Sequence, residues 1–257
     1  MLPQHDPRSS PEEPDPWSPA AGPLFNPAAR VHLVPIGLDA QCVVIDDILA
    51  QPEAVARWAA QQDLREPEGY PYPGLVAPAP ASVSALLSDY FGRHVRGLLG
   101  GRRTLDGVLR TSLVTVPPHA LEPRQWLCHR DRVADDPAAW LFAASVLYLF
   151  RDPALGGTSF YRPRLPPAQL NRLLADSQQL DAATFAARYG LQPGYMAGSN
   201  DWFEQVASVP AAWNRAIYYD GGIFHSADIT HPAALSRDPA RGRLTLNGFY
   251  TCRRAAR

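Results

Sequence analysis

Apolar and polar positions change period along this chain, and the changes mark its elements. The run Cys42-Val43-Val44-Ile45 is short and β-branched, which predicts a strand. After Asp46-Asp47, the residues Val55, Trp58, Ala59 and Leu64 recur at helical spacing and predict a helix within 49–64. A second helix is predicted over 82–99, with Val83, Leu86, Leu87, Tyr90 and Phe91 as its buried stripe. Between them, Tyr70-Pro71-Tyr72-Pro73-Gly74 predicts an extended loop or turn. From Gly107 the period shortens to that of strands, over 108–116, 143–150, 213–219 and 244–250. The second of these is apolar on both faces, as a central strand is. Residues 165–190 (Pro166-Pro167, then Leu170, Leu173, Leu174 and Phe185) read as helical and 191–212 as a loop. The stretch 165–212 is therefore a long insertion between strands. Such insertions either close over a site as a lid or cover a sheet edge. A strand, two helices and then mostly strands describe an α+β chain that is mainly β.

Composition adds limits. The 257 residues are 46% hydrophobic and 19% charged, which suits a soluble globular protein with a sizeable core. Eight of the 27 prolines fall in residues 1–30, so that segment is expected to be a flexible leader. Trp17 and Phe25 are its side chains able to dock, and residues 31–257 form one domain. A net charge of −1 offers no footprint for nucleic acid. No stretch approaches the ~18 apolar residues of a membrane span, and the N-terminus has no signal-peptide pattern. Cys42, Cys128 and Cys252 are widely spaced and odd in number, which suits a reducing compartment; the expected location is the cytoplasm.

The chemistry gathers around His129-Arg130-Asp131 and, far downstream, His225 and Arg243. In an extended segment His129 and Asp131 share a face, opposite Cys128 and Arg130. Two imidazoles and one carboxylate form the ligand set of non-haem Fe(II), with positions left for substrate and oxygen. Asp135 and Asp136 compete with Asp131, and His231 competes with His225; both rivals lie in polar turns. Arg243 opens a strand in which Arg243, Thr245 and Asn247 alternate with Leu244 and Leu246. If the leucines fill a core, the polar face lines a cavity, and its arginine needs an anionic partner. If that face is outside, Arg243 is a surface charge.

The string Ala143-Ala144-Ser145-Val146-Leu147-Tyr148-Leu149-Phe150, followed by Gly156-Gly157-Thr158-Ser159-Phe160-Tyr161, has a counterpart in a known family. It resembles the stretch after the His-x-Asp motif in the prolyl 4-hydroxylase-like branch of the Fe(II)/2-oxoglutarate dioxygenases. Val43 to Leu49 also looks like that branch's opening strand and helix, and the resemblance covers roughly residues 40–250. It implies a double-stranded β-helix, a jelly-roll or cupin-like barrel, with flanking N-terminal helices and a helical insertion. It implies His129, Asp131 and His225 as iron ligands, and Arg243 as the partner of the distal carboxylate of 2-oxoglutarate. Thr245 is implied as a second contact and Tyr148 as a lining residue of that pocket. The cofactors implied are Fe(II), 2-oxoglutarate and O2, and the reaction is hydroxylation of an unactivated C–H. With Asp131 present, halide has no easy place at the metal, which disfavours halogenation. One departure stands out: the gap from His225 to Arg243 is longer than the family's usual spacing. An inserted loop over 232–241 accounts for it, with Arg237 or Arg241 as substitutes.

Other readings of the same residues are a cupin-like metal protein without 2-oxoglutarate, a non-catalytic binding module, and a Cys128-His129 thiol nucleophile. Opposite facing on a strand argues against the last. The substrate expected is a small molecule or a peptidyl group, with Tyr195, Trp202, Phe203 and Trp213 as aromatic supply; oligomeric state is not readable.

Overall fold

The computed structural model describes residues 15–37 and 39–254. Two N-terminal strands, β1 (Arg30–Pro35) and β2 (Gln41–Asp46), precede helix α1 (Pro52–Ala60). Strand β3 (Gly74–Pro78) then leads to helix α2 (Ala81–Tyr90). A wide helical turn, Phe91–Val95, and a tight one, Arg96–Leu99, prolong α2 before β4 (Gly101–Val114). The helix expected over 82–99 is thus helical throughout but changes pitch. Strands β5 (Trp140–Tyr148) and β6 (Thr158–Pro163) follow. The insertion carries α3 (Pro167–Gln179) and α4 (Ala182–Tyr189), and the chain closes with β7 (Phe203–Val209), β8 (Ala216–Asp220), β9 (Phe224–Ala227) and β10 (Arg243–Arg254).

The larger sheet has the order β1-β2-β8-β5-β10-β4-β3 and the smaller β7-β6-β9; every neighbouring pair is antiparallel. His129 bridges to His225 and so adds a fragment of chain outside β9. From β4 onward the chain alternates between the sheets: His129 segment, β5, β6 and β7, β8, β9, β10. That alternation makes the fold a double-stranded β-helix.

Three clusters of buried side chains follow from the alternation of faces. The outer face of the large sheet (Val43, Ile45, Leu113, Leu147, Leu244, Leu246) packs on Val55 and Ala59 of α1 and Val83 and Leu87 of α2. Phe91, fully buried, stacks 4.0 Å from Tyr250 in this layer, and burying a side chain of that size contributes roughly 1.5–3 kcal/mol. Between the sheets lie Val44, Val146, Tyr148, Phe160 and Ile217. Outside the small sheet, Tyr161, Phe203 and Phe224 meet Leu170, Leu173 and Phe185 of the insertion.

Three expectations change. The leader divides: residues 1–14 lie outside the described residues, whereas Trp17 packs edge-on to Trp58 at 5.0 Å and Phe25 stacks on Tyr90 at 4.1 Å. The order expected from Val31 therefore starts earlier. Within the span read as a loop, 203–209 is a strand, and 74–78 adds a strand directly after the Tyr-Pro turn. No helix among the described residues is long and apolar enough to cross a membrane.

Candidate active site

The site begins with a reciprocal backbone pair. His129 N–H donates to the His225 carbonyl at 2.9 Å, and His225 N–H donates to the His129 carbonyl at 2.8 Å. The two rings consequently lie 4.5 Å apart. Two residues on, Asp131 N–H donates to the Gly221 carbonyl at 2.9 Å, which turns its carboxylate to the side of both imidazoles. Gly221 leaves space opposite: a Cβ there would lie 3.0 Å from Asp131 Oδ2 and 3.0 Å from the Phe142 carbonyl, close enough to press on both. His129 Nε2 and His225 Nε2 then face the two oxygens of Asp131, each at 3.5 Å. One ligand atom from each residue lies within 4.8 Å of the others, and no other such group of three occurs among the described residues.

The hydrogen bonds set the chemical state of this group. His225 Nδ1 lies 2.9 Å from the Ile223 carbonyl. A carbonyl only accepts, so Nδ1 carries the proton and neutral His225 turns the Nε2 lone pair inward. Burial opposes charge on His225, but the Asp131 carboxylate and the Ile223 carbonyl together outweigh it and raise its pKa. Burial pushes Asp131 upward too, yet the two histidines prevail and hold it well below the usual carboxylate range. His129 opens to the cavity but is walled in by protein, and burial followed by repulsion from His225 lowers its pKa. An ionised carboxylate between two imidazoles is a donor set suited to a divalent cation.

A cavity of about 600 Å³ opens in front of the group. Arg243, His129, Asp131, His225, Thr158, Tyr219 and Tyr195 line it. Arg243 is buried at the first residue of β10. Its Nε donates to the Leu155 carbonyl at 3.0 Å and its Nη2 to the Gly157 carbonyl at 2.8 Å. No acidic side chain pairs with it among the described residues. Two glycines make this cradle possible. A Cβ on Gly156, at φ +77°, would lie 1.8 Å from the Asp228 carbonyl, and one on Gly157 would lie 2.1 Å from that of Val209. Near Arg243, Tyr72 Oη and Ser112 Oγ are buried beside each other, with no other hydrogen-bond partner. Buried hydroxyls beside a guanidinium that has no acidic partner fit an acid.

Not every sequence candidate reaches the wall. Tyr148 is fully buried behind it, its hydroxyl 2.8 Å from Thr158 Oγ1. Thr245 is likewise buried behind it and donates to the Ser112 carbonyl at 3.4 Å. His231, Arg237 and Arg241 are exposed on the loop before β10 and stay outside the cavity. Asp135 and Asp136 are exposed as well. Of the aromatic candidates, Tyr195 lines the cavity; Trp202, Phe203 and Trp213 pack elsewhere. Sequence reasoning passed over Tyr72, Ser112 and Arg110. The alternation Val108, Arg110, Ser112, Val114 is a signal for the last two, but it becomes informative only once β4 is paired with β10.

No curated protein matches the chain. Among solved structures it is similar to HygX from Streptomyces hygroscopicus with nickel and 2-oxoglutarate bound, at 12% identity over 82% of both chains and a TM-score of 0.45. A Pseudomonas putida prolyl-4-hydroxylase matches at 15% identity over 92% of this chain and 96% of the other, with a TM-score of 0.38. The non-heme alpha ketoglutarate dependent carbocyclase SnoK from nogalamycin biosynthesis matches at 13% identity over 82% and 79%, with a TM-score of 0.41. Over residues 27–250 the sequence matches the model of a family described only as one of unknown function, DUF6445, and the chain belongs to that family.

Proposed function

We propose that this protein is an Fe(II)- and 2-oxoglutarate-dependent oxygenase that hydroxylates an unactivated C–H of a small-molecule or peptidyl substrate. One observation carries the reading. The His129, Asp131 and His225 group shares a single cavity with Arg243, a buried cation that lacks an acid. His129, Asp131 and His225 would hold the iron on one face. Arg243 would pair with the distal carboxylate of 2-oxoglutarate, with Tyr72 and Ser112 as neighbouring hydroxyls. With iron, 2-oxoglutarate and O2 bound, the chemistry supplied is decarboxylation to succinate coupled to oxidation of a substrate C–H.

The chain's own contribution is position. The Ile223 carbonyl fixes the tautomer of His225, and the reciprocal backbone pair fixes the spacing of the two imidazoles. Gly221 leaves room for the carboxylate, and the carbonyls of Leu155 and Gly157 aim the guanidinium. Tyr219, edge-on to the His225 ring at 4.8 Å, shields that ligand from water.

The test is metal and co-substrate binding by anaerobically purified protein. The expected result is about one Fe(II) per chain, lost in His129→Ala and in His225→Ala, with succinate formed from 2-oxoglutarate. Arg243→Ala should keep the metal and raise the 2-oxoglutarate requirement by about a hundredfold or more, since breaking a buried charged pair costs about 3–5 kcal/mol. Arg243→Lys keeps the charge without the fork and should fall between. Metal binding without 2-oxoglutarate turnover, indifferent to Arg243, would instead indicate a cupin-like metal protein.

A further inference from the structure

The cavity continues well past Arg243. Arg110 on β4 faces Asn247 on β10 in the sheet register, and Asn247 is four residues along the strand from Arg243. At ~3.3 Å per residue this sets the backbone positions of the two arginines roughly 13 Å apart along the sheet. Arg243 is turned to the carbonyls of Leu155 and Gly157, whereas Arg110 leaves the neighbouring strand in a setting of its own and is free to serve another group. Its setting is built. The guanidinium carbon lies 4.9 Å from the Tyr70 ring centre, 5.2 Å from that of Tyr72 and 4.9 Å from that of Phe249. Three rings hold a flat cation in place without neutralising it. Arg110 Nε is buried with no hydrogen-bond partner, and so is Asn247 Oδ1. No carboxylate pairs with Arg110 among the described residues.

The rest of the lining has the same sign. Arg124, Arg130 and Arg132 stand at the wall, against Asp106 and the carboxylate of Asp131. Glu122 neutralises Arg124 at 2.6 Å, while Arg130 lies over Phe224 and Arg132 over Phe142. Arg110 is thus the caged, unpaired cation closest in register to an unpaired acceptor. A donor fork beside an acceptor matches a carboxylate that carries an N–H or O–H on the neighbouring carbon.

Resting on the oxygenase reading above, we infer that Arg110 and Asn247 determine specificity by anchoring the primary substrate through such a carboxylate, so that the substrate is an amino, acylamino or hydroxy acid. Arg110 takes the carboxylate and Asn247 Oδ1 accepts from the adjacent N–H or O–H. The opposite end of that molecule then extends towards His129 and His225.

The experiment is ligand-observed NMR on full-length protein loaded with Zn(II) and saturating 2-oxoglutarate. The probes are the proteinogenic amino acids, their N-acetyl forms and the matching 2-hydroxy acids, each paired with its carboxamide. The expected result is at least one acid that binds about tenfold or more tightly than its carboxamide. That preference should vanish in Arg110→Met, weaken in Asn247→Ala, survive partly in Arg110→Lys and persist in Arg243→Ala. Arg110→Gln replaces the methionine variant if melting curves show it unfolded. Acids and carboxamides that bind alike, no acid that binds, or a preference untouched in Arg110→Met would each overturn the inference. Titration of 2-oxoglutarate itself separates the two readings. If it binds wild type and Arg110→Met alike, only the anchor is in question; if it binds neither while the acid preference holds, the anchor stands and the oxygenase reading falls.

Discussion

At the scale of single residues, the cradle of Arg243 depends on atoms that are not there. Gly156 and Gly157 have room for hydrogen alone, and Gly156 has φ +77°. Gly156→Ala should destabilise the fold by more than about 2 kcal/mol, because a left-handed conformation and a backbone clash add. Urea unfolding measures it; a stability unchanged from wild type would mean that the 155–157 turn yields freely. Of the candidate metal group, His129 and Asp131 were readable from the residues, while His225 came only with the family resemblance. His129 and Asp131 differ by two positions, and alternation puts them on one face whatever the rest of the chain does. Alternation likewise put Arg243 on a polar face, but it did not say whether that face looked inward. Gly221 and Arg110 were not readable, because their importance lies in what stands opposite them, and a single sequence does not print register.

At the scale of elements, the inner strands of the large sheet declared themselves, whereas its edge strands and the small sheet did not. β5 and β10 alternate or run apolar and lie at the sheet centre. β1 exposes Val31 and Leu33, and β7 mixes Glu204, Gln205 and Ser208 into an edge, so neither carries an inward stripe to recognise. β2 and β8 are held at their ends by Arg215, whose Nε donates to Asp46 at 2.6 Å with both side chains largely sheltered. The Arg215 hydrogen bond holds Asp46 below its ordinary pKa, more strongly than burial raises it. A depressed carboxylate stabilises the fold above its unfolded pKa and loses that contribution as pH falls through the folded value. Arg215→Ala should therefore cost about 1 kcal/mol at neutral pH, and its deficit should shrink as pH drops below the ordinary carboxylate range. Urea melts at neutral and acidic pH check this; a deficit constant with pH would assign the effect to packing. The insertion makes a different case. α3 and α4 bury Leu173 and Phe185 against Trp126 and Phe203, while Tyr195 reaches the cavity and bonds the Val116 carbonyl at 2.6 Å. Amide exchange on binding metal and 2-oxoglutarate should slow around residues 192–202 and leave α3 unaltered. Uniform slowing over 165–202 would make the whole insertion a moving lid.

At the scale of the molecule, four layers follow one another: helices, large sheet, small sheet, insertion. Each of the three interfaces between them contains one cysteine. Cys252 lies in the layer under the helices, Cys42 between the sheets and Cys128 beneath the insertion. Burial pushes the Cys42 thiol up to about 12 and raises the other two. None reacts while its own interface is shut, since thiolate and access are both lacking. The protein thus has a separate chemical clock in each interface. Under a maleimide pulse with increasing urea, mass spectrometry of the three cysteine peptides should time the opening of each layer independently. Simultaneous labelling would mean that the barrel and its coverings come apart as one unit, and staggered labelling would rank the layers by how soon they let go.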